Sequence, residues 1–124
     1  MHTYERSERV EHLVQREVCD LLLRKVKDPW IQHVTITSVR VTRDLRFARI
    51  YYTIPREDED RSAEVQTGLV SATGFVRASL GKRLRLRRAP QIHFMRDELY
   101  EQALDVSNSI AALERQGNKG SADE

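Results

Sequence analysis

The chain of 124 residues lacks the sequence features of disulfide-linked and of membrane-spanning proteins. Its single cysteine, Cys19, excludes an internal disulfide and any metal site made of cysteines alone. No apolar run is long enough to cross a bilayer, and the N-terminal residues lack the hydrophobic segment of a signal peptide. These absences favour a single soluble domain in the reducing cytoplasm.

Motifs for catalysis and metal binding are also missing. No pair among the four histidines has the spacing of a helical zinc motif, and no glycine-rich phosphate loop or nucleophile motif occurs. Four consecutive carboxylates at 57–60 lack the alternating positions and the glycine of a calcium loop. The sequence therefore predicts no enzyme, no metal site and no cofactor. A nuclease site assembled in space from scattered histidines and carboxylates stays an alternative.

Positive charge is concentrated in one stretch of the chain. The formal net charge is only +2, yet the segment 77–88 contains no acidic residue and six basic ones: Arg77, Lys82, Arg83, Arg85, Arg87 and Arg88. A local basic surface of this kind attracts phosphate, although a charge run is often only a solvated helix face. By itself, the segment is as consistent with a solvated face as with a binding surface.

The first half of the chain predicts one helix and a β-hairpin. Apolar residues at helical spacing, with Ser7 as the N-cap and Pro29 beyond the end, predict the first helix. Alternating β-branched residues within 33–43 and again over 47–54 predict two antiparallel strands, with a bulge near Ser38. One face of the second strand either stacks on bases or simply covers the sheet, and we favour the second: Phe47, Arg49, Tyr51 and Thr53.

The second half predicts three further helices and a third strand. Ala72, Thr73 and Gly74 predict an interruption between a helix over 61–72 and a helix over 75–86, because glycine adopts backbone conformations that other residues avoid. A short strand over 91–95 follows.

A last helix is predicted to begin near Asp97, which is an acceptable N-cap. It carries an apolar stripe that we expect to pack on the core: Leu99, Ala103, Val106, Ile110 and Leu113. The sequence predicts one domain over 1–115 and a disordered tail over 116–124, which lacks large apolar residues to bury.

The predicted order of elements describes an α+β domain with a small three-stranded sheet packed by helices. That order resembles the type II KH fold, in which a GXXG loop between two helices clamps the nucleic-acid backbone. In this chain Ala72, Thr73 and Gly74 occupy the corresponding place. A helix-kink-helix is therefore expected in place of the GXXG loop.

Over 7–113 the chain resembles the ribosome-binding factor A family. The resemblance rests on four stretches, of which the third is the most specific: RVEHLVQREVCDLL, VTITSVRVTRDLRFARIYYT, SATGFVRASLGKRLRLRRAPQIHF and RDELYEQALDVSNSI. It implies a non-enzymatic, cytoplasmic assembly factor that binds the free small (30S) ribosomal subunit and its 16S rRNA during late maturation. It also implies support for processing of the rRNA 5′ end and for growth in the cold.

The resemblance also implies roles for individual residues. Ala72, Thr73 and Gly74 would form the interhelical kink. The RNA-facing surface would include Arg77, Lys82, Arg83, Arg85, Arg87 and Arg88. An assembly GTPase is implied as a partner, and we expect the protein to be a monomer.

Two other interpretations of the same residues stay open. A generic KH-like RNA-binding or protein-interaction module, not specific to ribosomes, could dock a partner on the last helix or near Trp30. Its arginines would then only pair with surface carboxylates. Duplex DNA binding uses the same phosphate contacts, and only the absence of a helix-turn-helix pattern disfavours it.

Overall fold

The computed structural model describes residues 2–122, with side chains described over 8–116. The described chain is an α+β domain, as predicted, with three α-helices and one sheet of three strands. In chain order the elements are α1 (His2–Arg24), β1 (Thr35–Val41), β2 (Phe47–Thr53), α2 (Ser62–Arg83), β3 (Gln91–Arg96) and α3 (Glu98–Ala122). Short 3-10 helices span Ile31–His33 and Arg56–Arg61.

The strands form one mixed sheet in the order β1-β2-β3. β1 and β2 pair antiparallel, as the sequence predicts, and the predicted bulge lies between Ile36 and Ser38. β2 and β3 pair parallel, with Phe47 opposite Gln91. Because the pairing is parallel, β2 and β3 begin at the same edge of the sheet.

Helices α1 and α2 cover one face of this sheet and form a single core with it. Along α2 the buried residues follow at intervals of three and four: Val65, Leu69, Ala72, Val76 and Leu80. From α1 the buried residues are Val14, Val18, Leu21 and Leu22. Burial of each large aliphatic side chain contributes about 1.5–3 kcal/mol, so these two stripes hold the helices on the sheet.

The predicted interruption at Ala72, Thr73 and Gly74 is not found, because α2 continues through all three residues. Ala72 lies in the core, and the Thr73 Oγ1 donates a hydrogen bond to the Leu69 carbonyl oxygen at 3.0 Å. That bond satisfies the hydroxyl within the helix. A helical glycine costs only about 1 kcal/mol relative to alanine. The buried stripe outweighs this cost, and one helix replaces the predicted two.

α3 begins at the predicted place. The Asp97 Oδ1 accepts a hydrogen bond from the Tyr100 backbone N–H at 3.0 Å, and its Oδ2 accepts one from the Thr37 hydroxyl at 2.6 Å. The first contact is that of an N-cap side chain, and the second joins the start of α3 to β1.

The expected packing of the α3 apolar stripe on the core is wrong. All its members are exposed, and the four large side chains range from 52% exposed at Ile110 to 78% at Leu99. The core face of the sheet is already occupied by α1 and α2, which leaves no apolar surface there for a third helix.

Helix ends differ from the predictions at both termini. α1 begins at His2, ahead of the predicted cap Ser7. α3 runs to Ala122, past the predicted start of the tail at 116. The disorder predicted for 116–124 stays a prediction, and residues 123 and 124 lie outside the described residues.

Ion pairs hold the start of α3 against the 3-10 helix Arg56–Arg61. The Arg96 Nε donates to Glu101 at 3.0 Å, and its terminal nitrogens pair with Glu59. These hydrogen bonds lower the pKa of Glu59 and raise that of Arg96. Among residues 2–122, none of the helices combines the length and the apolar composition that a bilayer span requires.

Two glycines of α2 allow a paired test of this packing. A Cβ atom at Gly68 would lie 2.6 Å from the Asp28 Oδ2, whereas a Cβ at Gly74 would meet no atom within 4 Å. We expect Gly74→Ala to raise the free energy of unfolding by about 1 kcal/mol through helix propensity. Gly68→Ala gains the same helix propensity, but the Asp28 carboxylate, which accepts from the Trp30 N–H, must move, so we expect a net loss of about 1 kcal/mol.

Urea denaturation followed by circular dichroism measures both changes. The two variants are matched, since each adds one methyl group to the same helix. Destabilisation by Gly74→Ala of the size expected for Gly68→Ala would contradict the open surroundings of Gly74.

Candidate nucleic-acid interface

The end of α2 directs the basic segment away from the helix axis. The Leu86 N–H donates to the Gly81 carbonyl oxygen at 3.0 Å, and the Arg85 N–H donates to the Lys82 carbonyl oxygen at 3.3 Å. This pair of bonds is the Schellman motif that terminates many helices. The helix therefore ends at Arg83 instead of reaching the predicted 86, and residues 84–90 form a loop.

The residue at the turning point of this motif is Arg85, with a φ of 52°. Glycine usually takes that left-handed position, because a Cβ atom there crowds the backbone. Arg85 is exposed, and no carboxylate pairs with it among the described side chains.

The loop 84–90 and the turn between β1 and β2 enclose a cleft of about 410 Å³. The arginine cleft, as we name it, is lined by four arginine residues: Arg46, Arg77, Arg87 and Arg88. The Gln91 N–H donates to the Arg46 carbonyl oxygen at 2.7 Å, which joins the turn to the start of β3. Guanidinium groups match the geometry of phosphate oxygens, so the cleft can hold a phosphate backbone.

One carboxylate, Asp44, also lines the arginine cleft. Hydrogen bonds from the Thr42 hydroxyl at 2.6 Å and the Arg46 N–H at 3.1 Å lower the pKa of Asp44. The Arg46 Nε lies 3.9 Å from the Asp44 Oδ2, a weak exposed pair. Among the described side chains, no carboxylate pairs with Arg87 or Arg88, so the cleft keeps a positive charge.

Arg77 has a positioning contact within the cleft. Its Nε and Nη2 both donate to the Ala89 carbonyl oxygen at 3.3 Å. The contact ties α2 to the loop 84–90 and leaves other guanidinium N–H groups for a ligand.

Three of the six predicted RNA-binding residues meet in the arginine cleft: Arg77, Arg87 and Arg88. Lys82 and Arg85 are exposed but do not line it. Arg83 has a different role. Its Nη1 donates to the Glu17 Oε2 and the Asp20 Oδ2, both at 2.8 Å, and so fastens the end of α2 to α1.

The contacts of Arg83 with Glu17 and Asp20 shift the pKa values of Arg83 and Asp20. Hydrogen bonds donated to the Asp20 and Glu17 carboxylates raise the pKa of Arg83, and the bond to Asp20 lowers the pKa of that carboxyl group. Because Arg83 already has two carboxylate partners, we leave it out of the proposed interface.

Arg46 is a cleft residue that lies outside the predicted basic segment 77–88. Arg46 belongs to the turn before β2, and only the parallel pairing of β2 with β3 brings it beside the basic loop. No local pattern signals that pairing. Ala72, Thr73 and Gly74 lie in the middle of α2, and their predicted role in place of a GXXG loop stays a prediction.

Clusters suited to a metal ion do not occur within the described residues, where no three His, Cys, Asp or Glu side chains meet. The His33 Nδ1 lies 2.9 Å from the Asp58 Oδ2, and His12 and His93 are exposed. The side chain of His2 lies outside the described residues.

Comparison with known proteins identifies the family. The model of the family described as ribosome-binding factor A matches residues 6–110. The chain belongs to the ribosome-binding factor A family. The family member of Geobacter sulfurreducens is 43% identical over 122 residues, covering 97% of this chain and 99% of that one. The member of Limosilactobacillus fermentum is 44% identical over 110 residues, covering 89% and 92%.

Solved structures of ribosome-binding factor A confirm the fold. The crystal structure of the Thermus thermophilus protein superposes with a TM-score of 0.63 at 23% identity, covering 73% of this chain and 94% of that one. A homology model of the Thermus thermophilus protein, fitted into a cryo-EM map of its complex with the 30S subunit, gives a TM-score of 0.58 at 25% identity. That comparison covers 70% of this chain and 90% of the other.

The left-handed conformation of Arg85 gives a test of the loop geometry. Arg85→Gly should raise the free energy of unfolding by roughly 0.5–1 kcal/mol, because glycine removes the Cβ crowding but is more flexible in the unfolded chain. Arg85→Ala is the matched control, since it removes the same guanidinium and keeps a Cβ atom. Urea denaturation compares the two. Equal stability of the glycine and alanine variants would contradict the assigned backbone conformation.

Proposed function

We propose that this family member binds the small (30S) ribosomal subunit and contacts its 16S rRNA through the arginine cleft. One observation carries the proposal: four arginines from the β1–β2 turn, α2 and the loop 84–90 converge on one opening with a single carboxylate among them. Membership of the family supports it, as does the related Thermus thermophilus protein in its complex with the 30S subunit.

The cleft suits folded rRNA better than a clamped single strand. KH domains clamp four backbone nucleotides with a GXXG loop, whereas α2 of this chain is continuous at the corresponding residues. Guanidinium groups in the cleft would instead bind phosphates of rRNA helices. These contacts supply affinity and position, and the shape of the folded RNA supplies selectivity.

Binding of this kind can promote maturation without catalysis. A protein that binds one arrangement of the immature subunit more tightly shifts the equilibrium towards that arrangement. We propose that the protein acts in this way during late maturation, as a monomer in the cytoplasm. Support for rRNA 5′-end processing and for growth in the cold would follow from a subunit that folds more completely. An assembly GTPase that assists its release stays a prediction.

The interaction-module alternative finds little support at Trp30. Trp30 is half-buried against the core, and the Arg61 guanidinium lies 5.1 Å from the centre of its ring. The indole ring therefore contacts the core and Arg61 of the same molecule, which leaves less of it for a protein partner.

Co-sedimentation with isolated small subunits, large subunits and complete ribosomes tests the proposal. The protein should pellet preferentially with free small subunits, and its affinity should fall steeply as salt rises, because phosphate contacts release counterions. Arg87→Glu combined with Arg88→Glu should weaken binding at least tenfold and reduce the log–log salt slope by about 2.

A matched control changes the same number of charges elsewhere. Arg9→Glu combined with Arg16→Glu reverses two exposed arginines of α1 and should leave subunit binding close to that of the unsubstituted protein. If both double variants lost subunit binding equally, the loss would reflect net charge and would contradict a specific role of the arginine cleft. Equal pelleting with all three particles would refute selective binding of the small subunit.

A further inference from the structure

Three basic side chains lie side by side on the face of the sheet that α1 and α2 leave open. Arg40 of β1 is the register partner of Arg49 of β2, and Arg49 is the register partner of His93 of β3. All three side chains are exposed, and together with Phe47 they line a depression of about 480 Å³. We name Arg40, Arg49 and His93 the basic row.

The basic row is poorly neutralised within the protein. The Arg40 Nη1 lies 4.0 Å from the Glu11 Oε2, at the limit of an ion pair, and the other oxygen of Glu11 accepts from the Val41 N–H at 2.9 Å. No carboxylate pairs with Arg49 or His93 among the described side chains. Like charges directly opposite each other destabilise a sheet. An anionic ligand would remove this repulsion.

An aromatic ring connects the basic row to the arginine cleft. Phe47 is the first residue of β2, is 42% exposed, and lines both depressions. Further along the same face, Tyr51 pairs with Met95, which is 44% exposed. Proteins that bind single-stranded nucleic acid combine these elements, since cations follow the phosphates while bases stack on aromatic rings.

We propose that the basic row and Phe47 bind a single-stranded RNA segment that continues from the arginine cleft. Arg40, Arg49 and His93 donate hydrogen bonds to successive phosphates, and Phe47 stacks on a base. The inference rests on the proposed function, because it extends the rRNA contact from the cleft across the sheet. It also revises the sequence-based preference for this face as simple cover, since its basic and aromatic side chains are exposed.

Fluorescence anisotropy of the full chain with a fluorescein-labelled oligouridine of roughly eight nucleotides tests the proposal. Arg40→Gln combined with Arg49→Gln should weaken binding about tenfold and reduce the log–log salt slope by about 1.4, or 0.7 for each lost phosphate contact. The melting temperature should not fall, because the substitutions remove two facing positive charges.

The stacking contact has a separate signature. Phe47→Leu keeps an apolar side chain but removes the ring, so binding should weaken about fivefold or more while the salt slope stays unchanged. Arg40→Lys combined with Arg49→Lys keeps both charges and should restore most of the slope. Arg9→Gln combined with Arg16→Gln is the control for a general loss of charge and should leave affinity and slope near their original values.

The outcomes separate this inference from the proposed function. An unchanged salt slope in the variant with Arg40→Gln and Arg49→Gln would overturn the inference, as would no oligouridine binding by the unsubstituted protein. Either result would leave the proposal of subunit binding through the arginine cleft intact. Unchanged oligouridine binding with reduced subunit binding would also overturn it and assign the basic row to an acidic protein segment of the subunit. Failure of the proposed function would instead appear in co-sedimentation, where the unsubstituted protein would show no preference for the small subunit.

Discussion

The parallel pairing of β2 with β3 is the constraint on which the basic surface depends. Both strands begin at one edge of the sheet, so the turn before β2 and the loop before β3 lie side by side, joined by the bond from the Gln91 N–H to the Arg46 carbonyl oxygen. If β3 ran in the opposite direction, the loop 84–90 would meet β3 roughly 20 Å from the turn before β2, since strands rise about 3.3 Å per residue. Parallel strands require a long crossover, and α2 supplies it while covering the core.

The basic residues of the segment 77–88 have different roles, although they look alike in sequence. Arg83 holds α2 to α1 through two carboxylates, and Arg77 braces the loop through the Ala89 carbonyl oxygen. Arg87 and Arg88 line the arginine cleft without a carboxylate partner among the described side chains. Arg85 occupies a backbone position that favours glycine and that the motif at the end of α2 requires. The structure therefore divides one charge run into residues that hold helices and loop together and residues that line the arginine cleft.

Coverage of only one sheet face determines the rest of the surface. Alternation along β2 buries Ala48, Ile50 and Tyr52 under the helices and places Phe47 and Arg49 on the open face. α3 leaves the sheet at Asp97, held there by its cap and by Arg96, and keeps its apolar stripe exposed. The molecule thus combines a compact core with an open face that carries charge and an aromatic ring.

The sequence by itself determined the elements whose signals are local. Helical spacing in α1, alternation in the β-hairpin, the bulge before Ser38 and the Asp97 cap could all be predicted, because each depends on neighbouring residues. The continuity of α2 also has a local signal, since an unbroken apolar stripe runs along it: Val65, Leu69, Ala72, Val76 and Leu80. Gly74 gives the opposite signal, because glycine favours a break in a helix. Only the tertiary structure decided that Arg46 joins Arg87 and that Arg49 stands between Arg40 and His93. It alone also decided that the α3 stripe is exposed. Those outcomes depend on strand order and on which face is already covered, and residues distant in the chain set both.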